Sequence, residues 1–293
     1  MKPLVYNLDS DSALAAQLAQ ALNAEIGSLE IRHFPDGETY LRVLDEQLER
    51  PCILFCNLFH PDEKILRLLF LADTLKELGA TQVILVTPYL AYMRQDKRFQ
   101  AGECVSSRPF ARLLSSHVDA LVTLDPHLHR YHSLSEIYSI PTEVVSAAPL
   151  IAHWIHTHLK QPLLIGPDSE SEQWVSEVAR LAQAPYQILE KQRHGDYQVD
   201  ISTPELEAYA GYDAVLVDDI ISSGRTLLET LTHLQDQGLN SATAIGVHGL
   251  FAGDAYERLS QQAQVLTSES IPHISNAIEI APALAQAVKN LMR

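Results

Sequence analysis

The chain has 293 residues, 46% of them hydrophobic and 20% charged, and a formal net charge of −16. That length holds one large domain or two ordinary ones, each with a full apolar core. The acidic balance excludes a general nucleic-acid binder, which needs a basic surface, but leaves room for a small phosphorylated ligand held by a few local cations or a metal. No apolar run reaches the length of a membrane span and the opening residues do not read as a signal peptide, so a cytoplasmic protein with no nucleic-acid or membrane partner is expected.

In chain order, an amphipathic stretch at 12–22 comes first. FPDGE, Phe34 to Glu38, reads locally as a turn, with Pro-Asp-Gly as its mechanism. CILFCNL (52–58) is a strand in which Cys52 and Cys56 fall at even spacing. With Cys104 they fit neither a disulfide framework nor a zinc site, and buried free thiols are expected for the pair. The following helix places Ile65, Leu68, Leu69, Ala72, Leu75 and Leu78 on one face. Further strands are predicted at 82–90, 120–125, 163–168, 186–190, 214–219 and 242–249, and helices at 107–116, 150–159, 171–182, 224–237 and 281–292. This alternation predicts βαβ units, an α/β class and mostly parallel sheets covered on both faces. Two domains are expected, 1–145 and 146–293, divided where prolines and small residues interrupt the pattern at 139–149. The last helix is a candidate to pack back on the first domain. A faint echo, VTLDPH in one half and VLVDDI in the other, accompanies the division.

Ligands on such sheets bind at the carboxyl ends of the strands, and four of these ends carry chemistry. In VLVDDIISSGRTLLETL, Asp218 and Asp219 precede Ser222, Ser223, Gly224, Arg225 and Thr226 and then a helix-like pattern. The turn's N–H groups, its hydroxyls and the helix N-terminus make an anion cradle, and Gly224 permits close approach. Two carboxylates beside it suit the hydroxyls of a sugar phosphate; a plain helix cap needs one such residue, not five polar ones. In MRQDKR, Met93 to Arg98, three cations around a glutamine and an aspartate can hold a triphosphate, against the bland reading of a solvated charged loop. Asp125-Pro126-His127 can ligate or orient a metal at a strand exit, whereas His129 and His132 lack the partners of a zinc site and read as bystanders. Lys191 and Arg193 suit a mobile loop bearing two cations, or an exposed strand end.

The Val215–Leu231 segment resembles the phosphoribosyl-diphosphate loop of type I phosphoribosyltransferases. HFPDGETYLRV (33–43), PYLAYMRQDKRFQAGE (88–103), TLDPHLH (123–129), ILEKQR (188–193) and GVHGLFAGDA (246–255) occur in the order and spacing of ribose-phosphate diphosphokinases. The compact tail and the wording of 88–99 are closer to the archaeal-type members. The resemblance implies two phosphoribosyltransferase-like domains and transfer of a diphosphoryl group from ATP to O1 of ribose 5-phosphate, with Mg2+. It implies that Phe34 stacks near adenine, that Asp36 and Glu38, in one loop with Gly37, accept its hydrogen bonds, and that Arg94 and Gln95 contact ATP. His127 acts with the magnesium-bound ATP, and Asp168 contacts magnesium or the ribose side. Lys191 and Arg193, on a flexible loop, stabilise the transferring group. Asp218 and Asp219 hold ribose hydroxyls, directly or through magnesium, and Ser222, Ser223, Gly224, Arg225 and Thr226 hold the 5-phosphate. In that family the Phe34 loop reaches a neighbouring subunit's site, which implies a homo-oligomer.

Two positions depart from the pattern. Ser169-Glu170-Ser171-Glu172 stands where the family has small residues, and is expected to open a helix through a Ser169–Glu172 capping box. Arg225 stands where a glycine is common, and its side chain is expected to point into solvent. Three other readings remain: the same chemistry on another 5-substituted ribose, a catalytically silent regulatory homologue, or a phosphoribosyltransferase that consumes the diphosphate. The second should have lost Lys191, Arg193 or His127. The third has no use for FPDGE or MRQ.

Overall fold

The computed structural model describes residues 1–9, 13–46, 48–167, 171–194, 198–202, 206–234 and 238–292. They fall into two compact units, one made of Met1–Val145 and the chain from Ile280 onward, the other of Ser146–Glu279.

The first unit runs β1 (Leu4–Asn7), α1 (Ala13–Leu22), β2 (Glu25–Ile26), β3 (Leu29–His33), β4 (Thr39–Val43), β5 (Pro51–Phe55), α2 (Ile65–Glu77), β6 (Gln82–Thr87), α3 (Ser107–His117), β7 (Ala120–Leu124) and β8 (Thr142–Val145). The second runs α4 (Ala148–His158), β9 (Pro162–Gly166), α5 (Glu172–Ala182), β10 (Tyr186–Ile188), β11 (Glu190–His194), β12 (Gln198–Ser202), β13 (Asp213–Ile221), α6 (Arg225–Leu234), β14 (Ser241–Gly249), α7 (Ala255–Ser260), β15 (Gln264–Ser268) and β16 (Asn276–Ile278). The last helix, α8 (Ala281–Leu291), lies in the first unit, where it packs on α1 and on β6, β7 and β8.

Each unit is built on a six-stranded parallel sheet, ordered β2-β1-β5-β6-β7-β8 in the first and β10-β9-β13-β14-β15-β16 in the second. Central strands flanked by helices on both faces bury all their side chains but that of Pro51, which is why PCILF, QVILVT and ALVTL read as mostly apolar runs. Each helix contributes one apolar face. That of α2 is Leu68, Leu71, Ala72 and Leu75, with Ile65 and Leu69 at its margin. Leu78, expected on this face, caps the helix and is exposed. Cys52 and Cys56 are buried, and burial pushes the Cys52 thiol up to about 12.

In both sheets the order reverses once, between β1 and β5 and between β9 and β13. Crevices for ligands open at the carboxyl ends of strands beside such reversals. Each unit also carries a two-stranded antiparallel hairpin at the same place in its element order: β3–β4 before β5, and β11–β12 before β13. The two units therefore repeat one plan. The strands that carry the VTLDPH and VLVDDI echo are not equivalents in it, however, because β13 stands at the place of β5, not of β7.

Candidate active site

In the second unit the site begins on β13. The two aspartates lie within this strand rather than at its end, because β14 runs alongside as far as Ile221↔Gly249 and keeps the backbone extended. Asp218 and Asp219 are half-buried there. The chain then turns through Ser222, half-buried, and Ser223, exposed, into a buried Gly224. Gly224 has φ +64, and a Cβ there would come within 2.9 Å of Leu259 Cδ1, so both backbone conformation and space demand glycine. Its carbonyl accepts the first helical hydrogen bond, from Leu228 N–H at 2.9 Å, which aims the N-terminus of α6 at the turn. Arg225, exposed, and Thr226, half-buried, are the first residues of that helix. The segment after β14 buttresses the turn: Leu250 and Phe251 N–H donate to Ile221 O at 2.9 and 3.1 Å, and Ala252 N–H donates to Ser222 O at 3.0 Å. In the sequence, GVHGLFAGDA is only a mark of family resemblance. Its structural role depends on a chain reversal that its local wording does not spell out.

Beside β13, across the reversal, β9 ends in Gly166, where a Cβ would meet Ile188 Cδ1 at 2.5 Å and Ser171 Oγ at 2.8 Å. Asp168, Ser169 and Glu170 lie outside the described residues. Helix α5 starts at Glu172 with Ser171 at its N-cap, so Glu172 is the first helical residue and not the third position a Ser169 capping box requires. Lys191 and Arg193 are on β11, opposite Ile201 and Val199 of β12; they are part of a paired hairpin rather than an irregular loop or a strand end.

In the first unit, the crevice between β1 and β5 is closed by its own side chains. Lys64 Nζ donates to Asp9 Oδ1 at 2.8 Å and to Asn57 O at 2.6 Å, and Asn57 N–H donates to Asp9. The other candidate residues sit one and two strands along. After β6, Tyr92 adopts φ 62, with its hydroxyl bonded to Asp62 and its ring centroid 4.7 Å from that of Phe110. The bond to the Asp62 carboxylate pushes the phenol up to about 12. Arg94 is exposed and Gln95 half-buried. The rest of MRQDKR does not gather round one anion. Asp96 is turned inward, its side chain 2% exposed, and accepts from Arg130 Nη1 at 2.8 and 3.0 Å. Arg98 Nε donates to Glu103 O at 2.9 Å, and Lys97 Nζ lies 5.1 Å from the Phe99 ring centroid.

After β7, Asp125 and His127 take φ 29 and φ 56, and the His127 and His129 rings meet edge to face with centroids 4.1 Å apart. Left-handed backbone at residues other than glycine costs energy and clusters at sites whose geometry is over-determined. The Phe34–Glu38 segment is the exposed tip of the β3–β4 hairpin. Gly37 N–H donates to Phe34 O at 2.9 Å, with φ +92 at Gly37, and Glu38 N–H donates to the Asp36 carboxylate. Arg32 stacks its guanidinium 4.0 Å from the Tyr40 centroid and 4.9 Å from that of Phe34, which stiffens the tip.

Comparison with known proteins covers nearly the whole chain. Residues 4–117 match the N-terminal domain of ribose phosphate pyrophosphokinase, and residues 133–286 match the phosphoribosyl transferase domain. A ribose-phosphate pyrophosphokinase of Methanopyrus kandleri is 36% identical over 95% of this chain and 96% of its own. That of Methanothermobacter thermautotrophicus is 32% identical over 98% and 100%. Both are archaeal. The crystal structure of phosphoribosylpyrophosphate synthetase from Mycobacterium smegmatis superposes with a TM-score of 0.84, at 23% identity and 99% coverage of each chain, and so shares the fold.

Proposed function

The chain belongs to the ribose-phosphate pyrophosphokinase family, and on that premise we propose that it transfers the β,γ-diphosphoryl group of ATP to O1 of ribose 5-phosphate, releasing AMP and phosphoribosyl diphosphate. The observation that carries this reading is the cradle at the start of α6. It joins a turn with a left-handed glycine, hydroxyls and a helix N-terminus to two half-buried aspartates at the sheet reversal. An anion at a helix N-terminus is favoured by the N–H groups and by the helix dipole. Ser222, Ser223, Gly224, Arg225 and Thr226 hold the 5-phosphate. Asp218 and Asp219 accept from the ribose hydroxyls.

ATP is held by the first unit: Arg94 and Gln95 after β6, His127 after β7, and the hairpin tip with Phe34 against adenine and Asp36, Gly37 and Glu38 at its edge. O1 of the sugar attacks the β-phosphorus in line. The O1–P bond forms, the bond to the AMP oxygen breaks, and the O1 proton leaves. Lys191 and Arg193 supply fixed positive charge to the transferring group, and catalysis consists of positioning and electrostatics with no covalent intermediate. The donor set fits Mg2+, a hard cation that takes one or two carboxylates beside phosphate oxygens and water, with Asp218 and Asp219 as carboxylates on β13 and Asp168 after β9. When bound it neutralises phosphate charge. His127, after β7, acts with the magnesium-bound ATP, on its metal or its phosphates. The exposed hairpin tip also fits the expectation of a homo-oligomer in which one subunit's tip completes another's site. The reading is tested by incubating purified protein with Mg2+, ATP and ribose 5-phosphate: AMP release that depends on the sugar phosphate supports it, and ATP that stays intact contradicts it.

A further inference from the structure

We infer that Asp96 and Arg130 form a positioning clamp that sets Arg94 and Gln95 against His127; this rests on reading those three residues as ATP contacts. The side chain of Asp96 is 2% exposed, and Arg130 Nη1 reaches both of its oxygens, at 2.8 and 3.0 Å. A carboxyl group so buried is costly unless it is paired and hydrogen-bonded, so the partner is a requirement of the fold at this point. Arg130 itself is about half exposed, with its guanidinium 5.8 Å from the Phe99 ring centroid.

The placement gives the pair its meaning. Asp96 directly follows Arg94-Gln95 on the loop after β6, and Arg130 is three residues beyond His127 on the loop after β7. Tyr131 adds a second tie, its hydroxyl donating to Asp96 O at 3.4 Å while lying 3.1 Å from Ser107 Oγ at the start of α3. Two consecutive residues of one loop thus grip a single residue of the other. Both loops carry left-handed residues, Tyr92 on one and Asp125 and His127 on the other, and such backbone persists where its surroundings over-determine it. Arg130 is a positioning residue rather than a catalytic one, because it acts through Asp96.

The test measures binding of a non-hydrolysable ATP analogue with Mg2+ by calorimetry, the KM for each substrate and the melting temperature. It compares the wild-type protein with Arg130→Lys, Arg130→Gln, Asp96→Asn and the Asp96→Asn/Arg130→Gln pair. Because sub-ångström misplacement of a binding loop is costly, Arg130→Gln and Asp96→Asn are each expected to weaken the analogue by about tenfold or more, with the KM for ribose 5-phosphate within about twofold. Arg130→Lys, which keeps the charge, recovers part of the loss. The double variant is no weaker than the worse single variant, as expected of residues that act through one contact.

Unchanged analogue binding in both single variants overturns the clamp. So do losses that multiply in the double variant, or a loss in Arg130→Gln without one in Asp96→Asn, which makes Arg130 a direct contact. Unfolding of the variants, or equal movement of both KM values with a fall in melting temperature, reduces the pair to a structural tie and also overturns it. Failure of the wild-type protein to bind the analogue overturns the ATP reading and the clamp with it.

Discussion

Gly224 is constrained in the proposed sugar site chiefly by its φ of +64, which strains any residue with a side chain, and a Cβ would also press on Leu259 Cδ1 at 2.9 Å. Gly224→Ala is expected to cost about 1–3 kcal/mol in urea unfolding and to raise the KM for ribose 5-phosphate, since the strained turn must shift the N–H groups it presents. Arg225 is the counter-case. It is exposed at the first position of α6, where only its backbone N–H faces the turn by necessity. Steady-state kinetics of Arg225→Gly should show the KM for the sugar phosphate moving by less than about threefold, the scale of an exposed, screened charge; a sharp rise would put the guanidinium on the phosphate. For Lys191→Ala the expectation is a fall in kcat of about 10²–10³, the scale of one lost charge-stabilising donor, with ATP-analogue binding retained. At this scale, what was legible in the sequence was local. The turn after β13 and the Asp125–His127 turn stand out by neighbouring residue types, whereas Arg94-Gln95 stands out only through the family resemblance. Arg130 does not, because its partner lies 34 residues away and only the adjacency of β6 and β7 brings them together. Asp96 was misread as part of an anion-holding group for the same reason.

The element scale was legible wherever an apolar run is long. β5, β6 and β7 are buried on both faces and the helices show one clean stripe, so period and composition suffice. The short strands β1, β8, β15 and β16, three to five residues each, offer too few positions for a periodicity to stand out. The hairpins β3–β4 and β11–β12 were not foreseen either: β3 and β4 are half-exposed and polar-rich, and Lys191 and Arg193 read as loop cations. Helix α8 makes its own prediction. Leu284 is fully buried in the first unit although it lies beyond the end of the second in sequence. Leu284→Ala should cost about 2–5 kcal/mol by denaturant titration, the range for deleting a core leucine. A cost under 1 kcal/mol would mean that the helix is an appendage rather than part of that core.

For the whole molecule, the formal charge of −16 opposes two anionic substrates, so recognition must be local: fixed cations and N–H groups at strand ends. The two units repeat one plan but differ in their reversal crevices. Beside the reversal between β1 and β5, Lys64 bonds to Asp9 and Asn57, while β13 carries the two half-buried carboxylates of Asp218 and Asp219 ahead of the turn into α6. This asymmetry supports assigning the sugar phosphate to the second unit and moving the nucleotide contacts of the first unit to β6, β7 and the hairpin. If the hairpin tip completes a neighbour's site, light scattering should find a homo-oligomer whose dissociation on dilution abolishes turnover. The most direct test of the central claim is identification of products by mass spectrometry from Mg2+, ATP and a panel of 5-substituted riboses. The account predicts AMP and phosphoribosyl diphosphate in equal amounts with ribose 5-phosphate. ADP with a monophosphorylated sugar, or turnover confined to another 5-substituted ribose, would contradict it.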